Sequence, residues 1–201
     1  MNRAVALLSV ALLAGCGGDS DSGATSCEVV SIDESRAKEI EELEPGDYSI
    51  EFRTTHGSFT VEIDEERAPC NGNSMLQLAK DGFFNGIAFH RIVPGFVIQA
   101  GQSTETPDGG PGYTTVDLPP PDTKYTKGVV AMAKTQVDPP GTGGSQFFVV
   151  TGDDASLPPE YAVIGRVVEG MAAVEKIGKL GDATQAPTER IVIEQAVASG
   201  L

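Results

Sequence analysis

The chain has 201 residues, 40 % of them hydrophobic, no tryptophan and a formal net charge of −15. That is enough for one domain with a core of Phe, Val, Ile and Leu. Its acidity without a basic stripe argues against nucleic-acid binding and against docking on anionic lipid, since both depend on neutralising phosphates.

The N-terminus places Arg3 before an apolar run from Ala4 to Ala14, the layout of a bacterial export signal and too short for a permanent span. Leu13-Ala14-Gly15-Cys16 resembles the lipobox of bacterial lipoproteins. That resemblance implies lipidation of Cys16, membrane contact through the lipid alone, and an extracytoplasmic location. The alternative is an ordinary cleaved signal with an incidental cysteine. Residues 1–15 therefore read as a signal peptide, 16–47 as a flexible tether and acidic arm, and 48–201 as the globular domain. Within the arm a weak helical spacing at Ala37, Ile40 and Leu43 allows one short helix. Cys27 and Cys70 remain, and an even count in an exported chain predicts a disulfide between them.

From Tyr48 onward strand signals dominate. Ile50 and Phe52 alternate with charged residues, as do Phe59, Val61 and Ile63, around a turn at Thr55-His56-Gly57. Pro69 opens a helix that Gly82 closes, with Met75, Leu78 and Ala79 on the buried stripe. Strands follow at Phe89–Ile92 and Phe96–Ala100, then a long Pro/Gly-rich loop from Gln102 to Lys127. Val129–Ala133 and Gln146–Val150 flank a second loop, Val137 to Gly144. A third loop, Asp153 to Glu160, leads to a strand Tyr161–Val167, a helix Met171–Ile177 and a last strand Arg190–Ala196. Eight short strands with one early and one late helix predict a mainly β fold, a closed antiparallel barrel capped by the helices, because closure removes exposed edges.

The run Phe89 to Gly101 puts Arg91 among residues otherwise typical of a buried strand. A permanent guanidinium is costly to hold on an apolar surface, so Arg91 reads as a fixed hydrogen-bond donor in an apolar pocket. Strand alternation turns His90 away from it and gives Phe147 and Phe148 opposite faces. Phe148 is assigned to the pocket because Gln146 shares its face. Two separated histidines offer no metal site, and the carboxylates form no acid/base pair.

Three blocks now carry a family resemblance. Phe89-His90-Arg91-Ile92-Val93-Pro94-Gly95-Phe96-Val97-Ile98-Gln99 resembles the signature of the cyclophilins, the peptidyl-prolyl cis/trans isomerases. Gly128-Val129-Val130-Ala131-Met132-Ala133 and Gly144-Ser145-Gln146-Phe147-Phe148 are similar to two further strands of that family, in the same order. The resemblance spans Tyr48 to Ala196 and implies an eight-stranded barrel with two capping helices. It implies that Arg91 is the catalytic arginine, with Gln99 and Phe96 beside it. Phe96, Val97, Phe148 and Leu157 would form the socket for a proline ring, Gln99 and Gln146 would bind peptide backbone, and Ala133 with Lys134 would line the adjoining groove. Tyr161 stands where many members have histidine, Lys134 where asparagine is common, and Ser156 where many eukaryotic members have tryptophan. The expected partner is a proline-containing polypeptide, with no cofactor or metal, and the expected state is a monomer. A barrel that merely grips proline peptides is the alternative, though it would have no need of Arg91 and Gln99 together.

Overall fold

A computed structural model describes residues 26–36, 38–106 and 108–201; the expected signal segment, Cys16 and nearly all of the expected tether lie outside the described residues. The arm contributes β1 (Val29–Ser31), and the domain begins with the hairpin β2 (Ser49–Thr54) and β3 (Gly57–Ile63), followed by helix α1 (Pro69–Lys80). Strands β4 (Arg91–Val93) and β5 (Val97–Ala100) flank the Pro94-Gly95 turn, and β6 (Tyr113–Val116) lies within the long loop. Next come β7 (Val129–Met132), β8 (Thr142–Gly143) and β9 (Phe147–Val150). The chain ends with β10 (Val163–Glu169), α2 (Met171–Gly178) and β11 (Ile193–Ser199).

Eight strands form one antiparallel sheet in the order β11-β2-β3-β10-β7-β9-β5-β4, while β1, β6 and β8 form a second, three-stranded sheet. The large sheet curls, but its ladder starts at β11 and stops at β4. The expected closed barrel is therefore an open one. The gap is crossed by irregular backbone with one bridge, Ala88↔Val192, flanked by bonds from Phe89 N to Ile191 O (2.9 Å) and Ile193 N to Ile87 O (2.8 Å). The strand foreseen from Phe89 starts only at Arg91, leaving β4 too short to pair along β11.

Inside the curl, Phe52 stacks on Phe59 and Phe147 with centroids 5.2 and 5.0 Å apart, and Phe84 meets Phe52 and Phe147 edge-on at 5.8 and 5.9 Å. All four rings are essentially fully buried, each worth about 1.5–3 kcal/mol of transfer free energy. Met75, Leu76 and Leu78 of α1 and Val174 and Ile177 of α2 join the same core.

The predicted helix in the arm is absent among the described residues. The Asp33 carboxylate instead accepts from Ser35 N, Ser35 Oγ and Arg36 Nε, a local pattern that competes with helix formation. Those bonds, Ser35 first and then Arg36, draw its pKa down to about 2. β1 pairs with β6, Ile40 is buried, and Cys27 is disulfide-bonded to Cys70 with a Cα–Cα separation of 5.6 Å.

Helix α1 has no side-chain cap of its own. Asp117, from the long loop, supplies one: its carboxylate accepts from Asn71 N (2.6 Å), Asn71 Nδ2 (2.8 Å) and Cys70 N (3.3 Å). Asn71 also donates to Gly141 O and accepts from Thr115 Oγ1, so it ties both large loops to the helix. Gly143 packs against it so closely that a Cβ would stand 2.0 Å from Asn71 Oδ1.

Candidate active site

The site lies on the outer face of the curled sheet, opposite the phenylalanine core. Register places Arg91 of β4 directly across from Gln99 of β5, Gln99 across from Phe148 of β9, and Phe148 across from Ala131 of β7. Cross-strand partners share a face, so the ladder alone brings the guanidinium, the amide and the ring into one row. Phe147, one residue earlier, points into the core.

Arg91 is held by two neutral amide oxygens. Its Nε donates to Gln185 Oε1 at 2.8 Å and its Nη1 to Gln99 Oε1 at 3.3 Å. Gln99 Nε2 in turn donates to Gln146 Oε1 at 3.1 Å. Neutral acceptors orient the fork without cancelling its charge. Among the described residues no carboxylate pairs with Arg91. The guanidinium carbon sits 6.0 Å from the centroid of Phe96, which further limits its motion.

The Pro94-Gly95 turn aims Phe96, with Gly95 at φ +73° and Phe96 N bonded to Val93 O. Tyr161 meets Phe148 edge-on at 5.5 Å. Its backbone is clamped by the buried Tyr125 hydroxyl, which accepts from Tyr161 N (3.0 Å) and donates to Tyr161 O (2.8 Å). Lys134 turns its Nζ to Glu160 at 3.1 Å and to the carbonyls of Thr135 and Asp138, leaving its stem along the wall. His90 faces away, and burial first, then the nearby Arg91 charge, lowers its imidazole pKa.

One pocket of about 310 Å³ gathers Arg91, Phe96, Val97, Gln99, Ala133, Lys134, Phe148, Leu157 and Tyr161. Of the residues expected at the site, Gln146 alone lines only a neighbouring cleft, which shares Gln99, Ala133 and Lys134 with this pocket. Ser156, at φ +50° with its N bonded to Asp154 Oδ1, stays outside both. Two functional neighbours were not foreseen: Gln185 and Tyr125. Both reach the site through tertiary contact from segments without periodicity. Only the Asp182-Ala183-Thr184 turn, where Asp182 Oδ1 accepts from Thr184 N and Ala186 N, hints that Gln185 is held in place.

A family model described as cyclophilin type peptidyl-prolyl cis-trans isomerase matches residues 49–198. The chain belongs to that family. It is a peptidyl-prolyl cis-trans isomerase. A peptidyl-prolyl cis-trans isomerase-like 1 protein of Aspergillus fumigatus is 38 % identical over 131 residues, 63 % of this chain and 80 % of the relative. A probable peptidyl-prolyl cis-trans isomerase B of Mycobacterium leprae is 36 % identical over 157 residues, covering 70 % of this chain and 52 % of the relative. Among solved structures, a cyclophilin-type isomerase of Cryptosporidium parvum superposes with a TM-score of 0.68 at 27 % identity, over 77 % of this chain and 98 % of that one. The same protein in the presence of the dipeptide Ala-Pro gives 0.67 at 28 % identity, over 74 % of this chain and 97 % of that one.

Proposed function

We propose that this cyclophilin accelerates rotation about X-Pro bonds of exported polypeptides, acting as a monomer on the outer side of a bacterial membrane to which Cys16 tethers it by lipid. The single observation that carries the catalytic part is Arg91 oriented by two neutral amides in the pocket that Phe96, Val97, Phe148 and Leu157 also line. An X-Pro amide resists rotation because resonance gives its C–N bond double-bond character, with a barrier of ~18–20 kcal/mol. In the twisted state the prolyl nitrogen becomes pyramidal and regains its lone pair. A guanidinium N–H aimed at that nitrogen stabilises the twisted state over both planar ones, which is what accelerates the step. Phe96, Val97, Phe148 and Leu157 hold the ring while Gln99 and Gln146 hold the backbone. No covalent bond is made or broken in this step; the stabilisation comes from the Arg91 N–H. The test is a proline-peptide isomerisation assay on wild type and Arg91→Ala with peptide affinity measured in parallel; binding without any rate enhancement in the wild type would make the protein a proline-peptide binder instead.

Gln185 acts by positioning. Gln185→Ala removes the acceptor of Arg91 Nε, worth ~0.5–1.5 kcal/mol net, so kcat is expected to fall by about threefold to tenfold with KM little changed. A fall in KM-linked binding with kcat intact would refute that role.

The anchoring rests on Arg3, the apolar run to Ala14 and Leu13-Ala14-Gly15-Cys16. The Cys27–Cys70 disulfide suits an oxidising compartment. Mass spectrometry of the protein from a bacterial host is expected to find acylated Cys16 at the mature N-terminus. Cys16→Ser is expected to release the protein from the membrane fraction; acyl-free, soluble wild type would rule the anchor out.

A further inference from the structure

Outside the matched domain, the acidic arm packs against the long loop beside the candidate site. Three sets of contacts fix it there. β1 runs antiparallel to β6 with Val30 opposite Thr114; Ile32 N and Asp33 N both donate to Gly112 O, at 2.7 and 2.8 Å. Arg36 reaches across the same loop to Gly110 O (2.9 Å) and to Asp108 Oδ1 (2.7 Å). The approach is close enough that a Cβ on Gly112, at φ +94°, would lie 2.8 Å from Arg36 Cβ. The arm is thus clamped at a defined position.

That position puts Ile32, 59 % exposed, on the wall of the cleft that adjoins the proline pocket. A lone exposed isoleucine is ordinary. This one is held by backbone bonds at the rim of a cleft that continues, through Gln99, Ala133 and Lys134, into the site where the peptide must lie. The cleft has a volume of about 190 Å³, room for one side chain, and Pro111, Tyr113 and Ala133 extend its apolar lining. Its two carboxylates are already engaged. Asp108 pairs with Arg36, and Asp138 Oδ2 accepts from Thr135 N and Oγ1 at 2.8 and 2.7 Å.

We infer that the arm sets substrate preference: Ile32, fixed by Arg36 and the Gly112 carbonyl, completes a subsite for an uncharged apolar side chain on a residue flanking the proline. This rests on the isomerase reading above and deepens it. An arm residue in the subsite makes preference a property of this chain and not of its family domain alone.

The test is a set of short proline peptides carrying leucine, alanine or lysine at each position flanking the proline, assayed for kcat/KM with the full chain. The wild type is expected to prefer leucine over alanine at one flanking position. Ile32→Ser is expected to cut that ratio by about threefold to tenfold, the discrimination typical of one or two methylenes. Ile32→Asp is expected to shift the preference at the same position toward lysine. Val168→Ser, at another exposed β-branched residue, on β10 away from both clefts, is expected to keep the wild-type ratio. An unchanged leucine-to-alanine ratio in both Ile32 variants, with wild-type melting temperatures, would overturn the inference, and so would a wild type indifferent to every flanking residue. Loss of all turnover in the wild type would instead sink the isomerase reading, so the two failures are distinguishable.

Discussion

Arg91→Ala is expected to lower kcat/KM on proline peptides by about two to three orders of magnitude, the loss typical of removing one preorganised donor to a developing lone pair. Peptide affinity should change far less. The socket of Phe96, Val97, Phe148 and Leu157 keeps its apolar surface, and the planar ground state gives the guanidinium little to bind. Arg91→Lys separates charge from geometry. A lysine keeps the positive charge, but a single ammonium cannot reproduce the flat fork that donates to Gln185 and Gln99 together. It is expected to recover only a minor part of the lost rate. Steady-state isomerisation kinetics beside calorimetric titration of the same peptide distinguish the effects. A variant Arg91→Ala retaining a third or more of the wild-type kcat would mean that the socket alone turns the bond.

Much of that row is legible in the sequence. Arg91 and Gln99 are eight residues apart around a Pro-Gly turn, so antiparallel pairing had to bring them together or nearly so. Phe147 and Phe148 had to diverge because strand side chains alternate. Interior alternation in β2 and β3 survived as buried Ile50, Phe52, Phe59, Val61 and Ile63. The parts that could not be read share a physical cause. β6 and β8 are short, and their pairing is set by contacts through Asn71 and Asp117 instead of any local period. The arm shows the same effect. Its spacing at Ile40 and Leu43 imitates a helix, yet Ile40 is buried by an extended chain pinned through Cys27. Closure failed for a related reason, since the pattern around Phe89 is apolar enough for a strand but its backbone bonds go to Ile191 and Ile193 as isolated links. Gln185, at φ +68°, sits in a turn whose value to Arg91 appears only once the loop is folded against β4.

The adjacent phenylalanines of β9 offer the largest expected effect on stability and a contrast with it. Phe147 is fully buried, stacked on Phe52 and edge-on to Phe84. Phe147→Ala should leave a cavity among rings that cannot all relax inward, costing about 3–5 kcal/mol. For a domain of this size that corresponds to a melting temperature lower by roughly 6–20 °C. The molecules that remain folded should keep near-normal kcat, because nothing on the outer row has moved. Phe148→Ala acts on the opposite face. It opens the floor of the proline socket and removes the ring against which Tyr161 stands, so its main signature should be a rise in KM of about tenfold or more, with a smaller drop in melting temperature. Thermal unfolding and peptide kinetics on the two variants test both halves at once. If Phe147→Ala were the one that lost peptide binding while Phe148→Ala lost chiefly stability, the assignment of core and site faces along β9, and with it the placement of Gln99 beside the substrate, would be reversed.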